Sequence, residues 1–309
     1  MGKNYEVSVV VCMYDPDLNK ALQTVRSVTA QKDVTVELII SDDGSKNNYF
    51  EEIENYLRSV SFDDYKMVAC ETNQGTVRNI LRGVNAASGE YIKSISPGDF
   101  LNGDHILREW LEHLKSEGAK WSFSYVKNYT SDAKAKNKRA VIYPRDSGVY
   151  FNGSEYDKRR SYCVLCNVSV GAAMISERQI MLDYLEFISD KIKYTEDIIW
   201  RLMMFKGEVG CFYPFETTCY EVGTGISTSG SKKWRRIISD ELGLVSGLMK
   251  SLLDPDDGVQ RKLLKEAETT YCGGFFSHLF LPGKIKLLVR TVLFKRKKLE
   301  YIRYDNIGG

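Results

Sequence analysis

The most informative chemical feature of the sequence is a pair of carboxylates at the end of an apolar run. The run Val36–Ser41 is followed directly by Asp42, Asp43, Gly44 and Ser45. A buried parallel strand has such a nearly continuous apolar pattern, and open α/β sheets bind ligands beyond the carboxyl ends of their strands. Carboxylates there predict a site for a polar ligand that donates N–H or O–H groups. The same residues are also compatible with a plain strand-ending turn.

The elements that would position these residues alternate along the chain. Apolar or β-branched runs predict five strands, at 6–12, 36–41, 66–70, 91–95 and 121–126. Each of the first four strands is followed by apolar residues at helical spacing, which predict a helix. This alternation predicts an α/β fold with a mostly parallel sheet. Further along, the polar residues 128–160 predict a long surface excursion. Two helices are predicted after it, at 176–187 and 198–205. Ser176 and Gln179 have capping-box spacing. Two or three helices are expected after residue 220.

Composition excludes several classes of protein. Among the 309 residues, 43% are hydrophobic and 27% charged, which is ordinary for a globular protein. The net charge of +2 gives no indication of nucleic-acid binding. The seven cysteines are an odd number, and the chain shows no secretory signal, so we expect reduced thiols and a cytoplasmic location.

Five segments between residues 9 and 201 together resemble the family 2 glycosyltransferases with the GT-A fold. In chain order they are Val9–Asp15, Asp42–Ser45, Asn73–Asn79, Gly89–Ile92 and Thr195–Arg201. The resemblance implies a Rossmann-like GT-A catalytic domain over 1–220 and a helical accessory region over 221–309. It also implies inverting transfer from a UDP-sugar to a hydroxyl of a glycan, glycolipid or glycoprotein, in bacterial cell-surface polysaccharide or glycoprotein glycan synthesis. A catalytically silent domain that binds nucleotide sugars or scaffolds partner enzymes is the alternative.

The resemblance also assigns residues to the nucleotide sugar. Asp42 would accept the N–H of a uracil ring, and Asp43 and Ser45 would support the turn or the ribose. Arg78 would face the nucleotide or diphosphate, or else lie solvated on its helix. The full predicted set is Tyr14, Asp15, Asp42, Asp43, Ser45, Asn73, Gly75, Arg78, Asn79, Ser96 and Gly98.

The metal-binding element departs from the family pattern, which has carboxylates where this chain has Ser96 and Gly98. Asp99 is the acidic residue that remains. One carboxylate can hold Mn²⁺ or Mg²⁺ when diphosphate oxygens and waters complete the shell. Asp99 is therefore the predicted metal ligand, while Ser-Pro-Gly-Asp is also a good tight turn.

The same resemblance implies that Asp197 is the general base that deprotonates the acceptor hydroxyl, with Glu196 as its competitor. The role requires a carboxylate at the junction of donor and acceptor. The two residues are also compatible with a capping role, because acidic side chains favour helix N-termini.

The C-terminal segment 284–303 carries eight Lys or Arg residues and one acid, with apolar residues between them. A basic amphipathic helix can lie on an anionic membrane surface, which would place the protein at the inner face of the membrane. A helix packed on the core, or a contact in a homo-oligomer, explains the pattern equally well.

Overall fold

The computed structural model describes residues 3–135, 137–223, 231–272, 282–293 and 296–302. Its strands are β1 Val7–Met13, β2 Val36–Asp42, β3 Tyr65–Ala69, β4 Tyr91–Ile95, β5 Phe100–Leu101, β6 Trp121–Thr130, β7 Arg139–Val141, β8 Met174–Glu177, β9 Gly210–Glu221, β10 Arg296–Lys298 and β11 Glu300–Tyr301. Its helices are α1 Leu18–Thr29, α2 Phe50–Ser59, α3 Thr76–Ala86, α4 Ile106–Ser116, α5 Gly148–Asn152, α6 Glu155–Cys163, α7 Arg178–Ile188, α8 Ile198–Lys206, α9 Lys232–Gly243, α10 Val245–Ser251, α11 Gly258–Cys272 and α12 Lys284–Leu293.

A single large sheet carries the fold, with strand order β3-β2-β1-β4-β8-β6-β9-β5 and β11 beside β6. Pairing is parallel between β3, β2, β1 and β4, and again between β6 and β9. β8 is antiparallel to both β4 and β6, so those two strands run in the same direction. The carboxyl ends of β1, β2, β4, β6 and β9 therefore meet at one edge. The prediction of a mostly parallel α/β sheet is confirmed.

Both faces of the sheet are covered, which explains the continuous apolar strands. In β1, Val9 and Val11 point to a core formed with α1, α2 and α4, while Val10 points to the opposite core. That second core also contains buried side chains of α7, α8, α10 and α11. Alternate residues of one strand thus enter two different cores.

The described part of the C-terminal region has four helices, where two or three were expected, and two short strands also occur there. β10 pairs with β7 of the polar excursion, and β11 adds to the main sheet beside β6. The predicted membrane segment 284–303 lies partly outside the described residues. No helix in the described ranges is long and apolar enough to cross a membrane.

One predicted helix start is wrong. Ser176 belongs to strand β8, where it is paired with Ile92 and Trp121, and α7 begins at Arg178. The capping box does not form, because Glu177 is the N-cap residue and makes no side-chain capping bond. Sheet pairing on both sides has overridden the local helix signal at Ser176.

Candidate active site

A cavity of about 730 Å³ opens at the edge where the parallel strands end. Its wall includes Cys12 of β1, Ser96 after β4 and Glu221 at the end of β9. The predicted acidic residues Asp99, Glu196 and Asp197 all line this one cavity. The structure thus brings together three carboxylates that are up to 98 positions apart in sequence.

The Asp42–Ser45 turn lies at the same edge of the sheet and is held by its own side chains. The Asp42 carboxylate accepts the amides of Gly44 and Ser45 at 3.1 and 2.9 Å, and also the Ser45 hydroxyl. Ser45 Oγ in turn accepts the Asp15 amide at 2.7 Å. The tetrapeptide therefore forms a strand-ending turn, and the Asp15 amide links it to the neighbouring turn after β1. Tyr14, another predicted site residue, is exposed on that neighbouring turn.

Asp43 binds backbone amides at the start of α3. Its carboxylate accepts the amides of Gln74 and Gly75 at 3.1 and 2.7 Å. Gly75 has a φ of +96°, and a Cβ there would lie 2.6 Å from the carbonyl oxygen of Lys193. Only a glycine permits this close approach. The amide of Val77 then donates to the same carbonyl oxygen at 3.1 Å.

The remaining predicted residues of this segment lie in different environments. Asn79 is buried and bridges strands, because its Nδ2 donates to the Met13 carbonyl and its Oδ1 accepts the Ser41 hydroxyl. Asn73 is partly buried. Arg78 is exposed, and its Nε donates to the Ser189 carbonyl at 3.3 Å, outside the large cavity.

Arg82, one helical turn further along α3 than Arg78, is an arginine that lies beside the Asp42–Ser45 turn. Its Nη1 donates to the Asp42 carbonyl at 3.1 Å, and its Nη2 lies 3.6 Å from Asp43 Oδ1. Residues 78 and 82 share a helix face, so the sequence pattern alone does not separate them.

The Ser96–Asp99 segment forms the tight turn that its sequence favours, since the Asp99 amide donates to the Ser96 carbonyl at 3.0 Å. Asp99 Oδ1 accepts the Glu221 amide at 2.8 Å. Burial raises the pKa of Asp99 to about 7, although the Glu221 amide and Lys93 oppose the shift. A cation bound next to this buried carboxyl would stabilise its charged form and so lower its pKa.

Glu221 is a residue of this site that sequence reasoning missed. Gly98 has a φ of +102°, and a Cβ there would lie 2.8 Å from Glu221 Oε2. The Glu221 carboxylate therefore lies against residue 98 and leaves no room for a side chain there. It pairs with Lys20 Nζ at 2.5 Å and accepts the Ser131 hydroxyl. Among the described residues, no group of three His, Cys, Asp or Glu side chains could hold a metal ion by itself.

The carboxylates of Glu196 and Asp197 form a coupled acidic pair. Asp197 is the N-cap residue of α8, but its side chain makes no capping bond, so the capping role alone does not explain it. Burial within the cavity walls raises the pKa of Asp197 to about 6, while Arg201 and the Gly171 amide oppose the shift. Burial and the Asp197 charge raise the pKa of Glu196 well above its usual value. Asp197 is therefore the first of the two to ionise.

The Asp197 carboxylate lies close against Gly171, and Arg201 acts on its charge. A Cβ at Gly171 would lie 2.3 Å from Asp197 Oδ1, so residue 171 must be small for the carboxylate to occupy its position. Arg201 follows Asp197 by four residues and so lies on the same face of α8.

Glu241 of α9, which the sequence analysis did not identify, holds the loop that precedes Glu196 and Asp197. Its carboxylate accepts the amides of Lys193, Tyr194 and Thr195 at 2.8–3.2 Å and the Thr195 hydroxyl at 2.6 Å. Three successive amides converging on one carboxylate form an anion-binding nest. Helix α9 has no fully buried residue, so this contact is a principal attachment of α9 to the cavity wall.

We expect Glu241→Ala to release this loop. Removing the carboxylate leaves three amides without their partner, so hydrogen exchange at residues 193–195 should accelerate by about 10-fold or more. Glu241→Gln should give an intermediate rate, since one amide oxygen replaces two carboxylate oxygens. The matched control is Asp240→Ala, which removes the exposed acid next to it. Equal exchange in Glu241→Ala and wild type, measured by mass spectrometry, contradicts this role.

Solved structures of similar fold span most of the chain. S. aureus TarS 1–349 in complex with UDP-GlcNAc is 14% identical and superposes with a TM-score of 0.58, covering 93% of this chain and 78% of that one. The mannosyltransferase PcManGT from Pyrobaculum calidifontis in complex with GDP-Man and Mn²⁺ is 12% identical, with a TM-score of 0.62 and coverage of 94% and 76%. The chain spans 47% of the longer S. aureus TarS structure. These similarities confirm the GT-A fold.

Sequence comparison gives the family directly. No curated protein sequence matches the chain. The sequence model described as glycosyl transferase family 2, however, matches residues 8–176, which is more than half of the chain. It covers the Asp42–Ser45 turn, the start of α3 and the turn that carries Asp99. The chain therefore belongs to glycosyl transferase family 2 and is a glycosyltransferase.

Proposed function

We propose that this enzyme transfers a sugar from a UDP-sugar to a hydroxyl group of a glycan acceptor, with inversion at the anomeric carbon. The observation that carries the proposal is that Asp99, Glu196 and Asp197 line one cavity at the carboxyl edge of the sheet. Residues 1–220 would form the catalytic domain and 221–309 the accessory region. The UDP-GlcNAc bound by S. aureus TarS supports a UDP-sugar donor.

The nucleoside would bind over the two turns that follow β1 and β2. Tyr14 and Asp15 lie on one turn, and Asp42, Asp43 and Ser45 on the other. The Asp42–Ser45 hydrogen bonds support a rigid turn there, and the ring N–H of uracil would complete the acceptor capacity of the Asp42 carboxylate.

A divalent cation, Mn²⁺ or Mg²⁺, would bind at Asp99 and stabilise negative charge on the leaving diphosphate. The residues present fit this ion if the nucleotide supplies further ligands, because hard cations bind one or two carboxylates together with phosphate oxygens. The raised pKa of Asp99 supports the assignment. Mn²⁺ in the PcManGT complex supports Mn²⁺ as the ion to test.

Asp197 would take the proton of the acceptor hydroxyl as it attacks the anomeric carbon. Its pKa of about 6 supports this role, since the carboxylate is mostly ionised at neutral pH and remains a stronger base than an ordinary aspartate. The pKa of Glu196 is raised further by burial and by the Asp197 charge, so Glu196 is the weaker candidate for the base. A single in-line displacement with one base inverts the anomeric centre.

A donor panel tests the proposal. The full chain is incubated with UDP-glucose, UDP-galactose, their N-acetyl forms and GDP-mannose, with Mn²⁺ or EDTA, and released nucleoside diphosphate is measured. We expect turnover of a UDP-sugar that EDTA abolishes and that Asp197→Asn lowers by about 10²–10⁴-fold. The Asp190→Asn variant, which changes an exposed aspartate outside the cavity, is the matched control. If the chain binds UDP but turns over no donor, and if Asp197→Asn leaves the UDP affinity unchanged, the result would favour a silent nucleotide-sugar-binding domain.

The pH profile tests the base assignment separately. Asp197 must be ionised to act, so kcat/KM should rise with pH through about 6 and level off above it. The Arg201 guanidinium lowers the pKa of Asp197, so Arg201→Met should move the midpoint to higher pH. The control Arg236→Met removes an exposed charge on α9 and should leave the midpoint in place. A midpoint that Arg201→Met does not move would count against Asp197 as the base.

The C-terminal segment supports a membrane-associated acceptor. In α12, Lys284 and Leu287 are buried, whereas Ile285 and Val289 are 53% and 48% exposed and Lys286 is exposed beside them. Apolar and basic side chains that share a surface suit an anionic membrane, so a bacterial surface glycan carried on lipid fits as acceptor.

Liposome flotation tests the membrane contact. The wild-type chain should float with vesicles that contain anionic lipid and remain in solution with neutral ones. Ile285→Ser with Val289→Ser should reduce flotation by several-fold, because the exposed apolar area is lost. The same double change at Val60 and Val209, which are exposed elsewhere, is the control. If wild type stays in solution with anionic vesicles, the helix has no membrane role.

A further inference from the structure

Part of the cavity is cationic, and the proposed function gives it one role so far, the effect of Arg201 on the pKa of Asp197. Among the described residues that line the cavity, the basic side chains are Arg145 and Arg201. Lys284 of α12 lies close behind them, where its ammonium group donates to the Leu165 carbonyl at 2.7 Å. Burial lowers the pKa of Lys284, and the charges of Arg145 and Arg201 lower it further, so the three cations are close neighbours.

Arg145 lacks an anionic partner within the part of the chain that the structure describes. Among the described residues, no carboxylate lies within salt-bridge distance of its guanidinium group, and its buried Nε atom finds no hydrogen-bond acceptor there. Its remaining contacts are both with Tyr143, whose ring centroid lies 5.3 Å away and whose hydroxyl lies 3.5 Å from Nη2. A buried donor without an acceptor is costly, so a ligand oxygen here would satisfy an unmet requirement.

The cation associated with Asp197 differs from those associated with Asp99. Arg201 lowers the pKa of Asp197, and its Nη1 lies 3.6 Å from Sγ of Cys166, another residue that lines the cavity. The charges that act on Asp99 are those of Lys93, Glu221 and Lys20. If the donor diphosphate binds at Asp99 and the reacting hydroxyl at Asp197, the cations associated with Asp197 are the ones available to the acceptor.

We propose that Arg145, with Arg201 beside it, binds an oxyanion of the acceptor, so that the acceptor is an acidic glycan carrying a carboxylate or phosphate group near its reacting hydroxyl. A guanidinium group suits this task, because its planar donors match two oxygens of either anion. The inference rests on the proposed function for its orientation, and it identifies the acceptor class that the family leaves open.

Binding to matched ligands tests the inference. The full chain, with UDP and Mn²⁺ present, is titrated with 4-nitrophenyl β-D-glucoside, with its 6-phosphate and with 4-nitrophenyl β-D-glucuronide. We expect one or both anionic ligands to bind about 10-fold or more tightly than the neutral glucoside. Arg145→Gln should abolish that preference, and Arg145→Lys should restore part of it. Arg139→Gln, which removes an exposed charge from β7 outside the cavity, should retain it.

The three ligands and two further measurements separate the outcomes. The phosphate and glucuronide arms tell which anion is preferred. Equal affinity for the three ligands, including no binding of any, overturns the inference, as does an equal loss for all of them in Arg145→Gln. UDP-glucuronate and UDP-glucose are compared in the same variants, and an Arg145 effect confined to UDP-glucuronate assigns the cations to the donor instead. UDP affinity is measured in every sample, so failure of the proposed function is distinguished from failure of the acceptor inference.

Discussion

The backbone of residues 193–195 is the point through which the two halves of the active site are held together. On one side, the Lys193 carbonyl accepts the Val77 amide and fits against Gly75, whose amide is held by Asp43. On the other side, the amides of 193–195 converge on Glu241. A continuous series of hydrogen bonds therefore runs from the turn after β2 to the loop that carries Glu196 and Asp197. Apart from the Val77–Lys193 bond, each of these bonds is accepted by the carboxylate of Asp43 or Glu241, so the geometry depends on these two side chains.

This arrangement explains which parts of the site the sequence could predict. Asp42, Asp43, Asp99 and Asp197 follow or precede regular elements within short segments, so local pattern and family resemblance identify them together. Glu221 and Glu241 come from distant elements, and nothing in their own neighbourhood indicates a role. Their proximity to the site follows from the order of strands in the sheet and the packing of α9, which are properties of the tertiary structure.

Two smaller differences have the same cause. Arg78 and Arg82 share a face of α3, and only the position of the helix against the turn after β2 decides that Arg82 contacts Asp42 and Asp43. Ser176 has the spacing of a helix cap, but its backbone is paired with strands on both sides. In each case the local sequence allows two solutions, and long-range packing selects one.

The charges around the cavity partly compensate one another, which bears on whether an anionic substrate can enter it. Lys20 neutralises Glu221 at the end where Asp99 lies, which limits the negative charge that a diphosphate would meet there. Glu196 and Asp197 together carry less than their full charge, because burial and the charge of Asp197 raise the pKa of Glu196 well above its usual value. Arg201 in turn stabilises the ionised Asp197. The cavity lined by Asp99, Glu196 and Asp197 can therefore admit an anionic group, because cations offset part of the negative charge and raised pKa values reduce the rest.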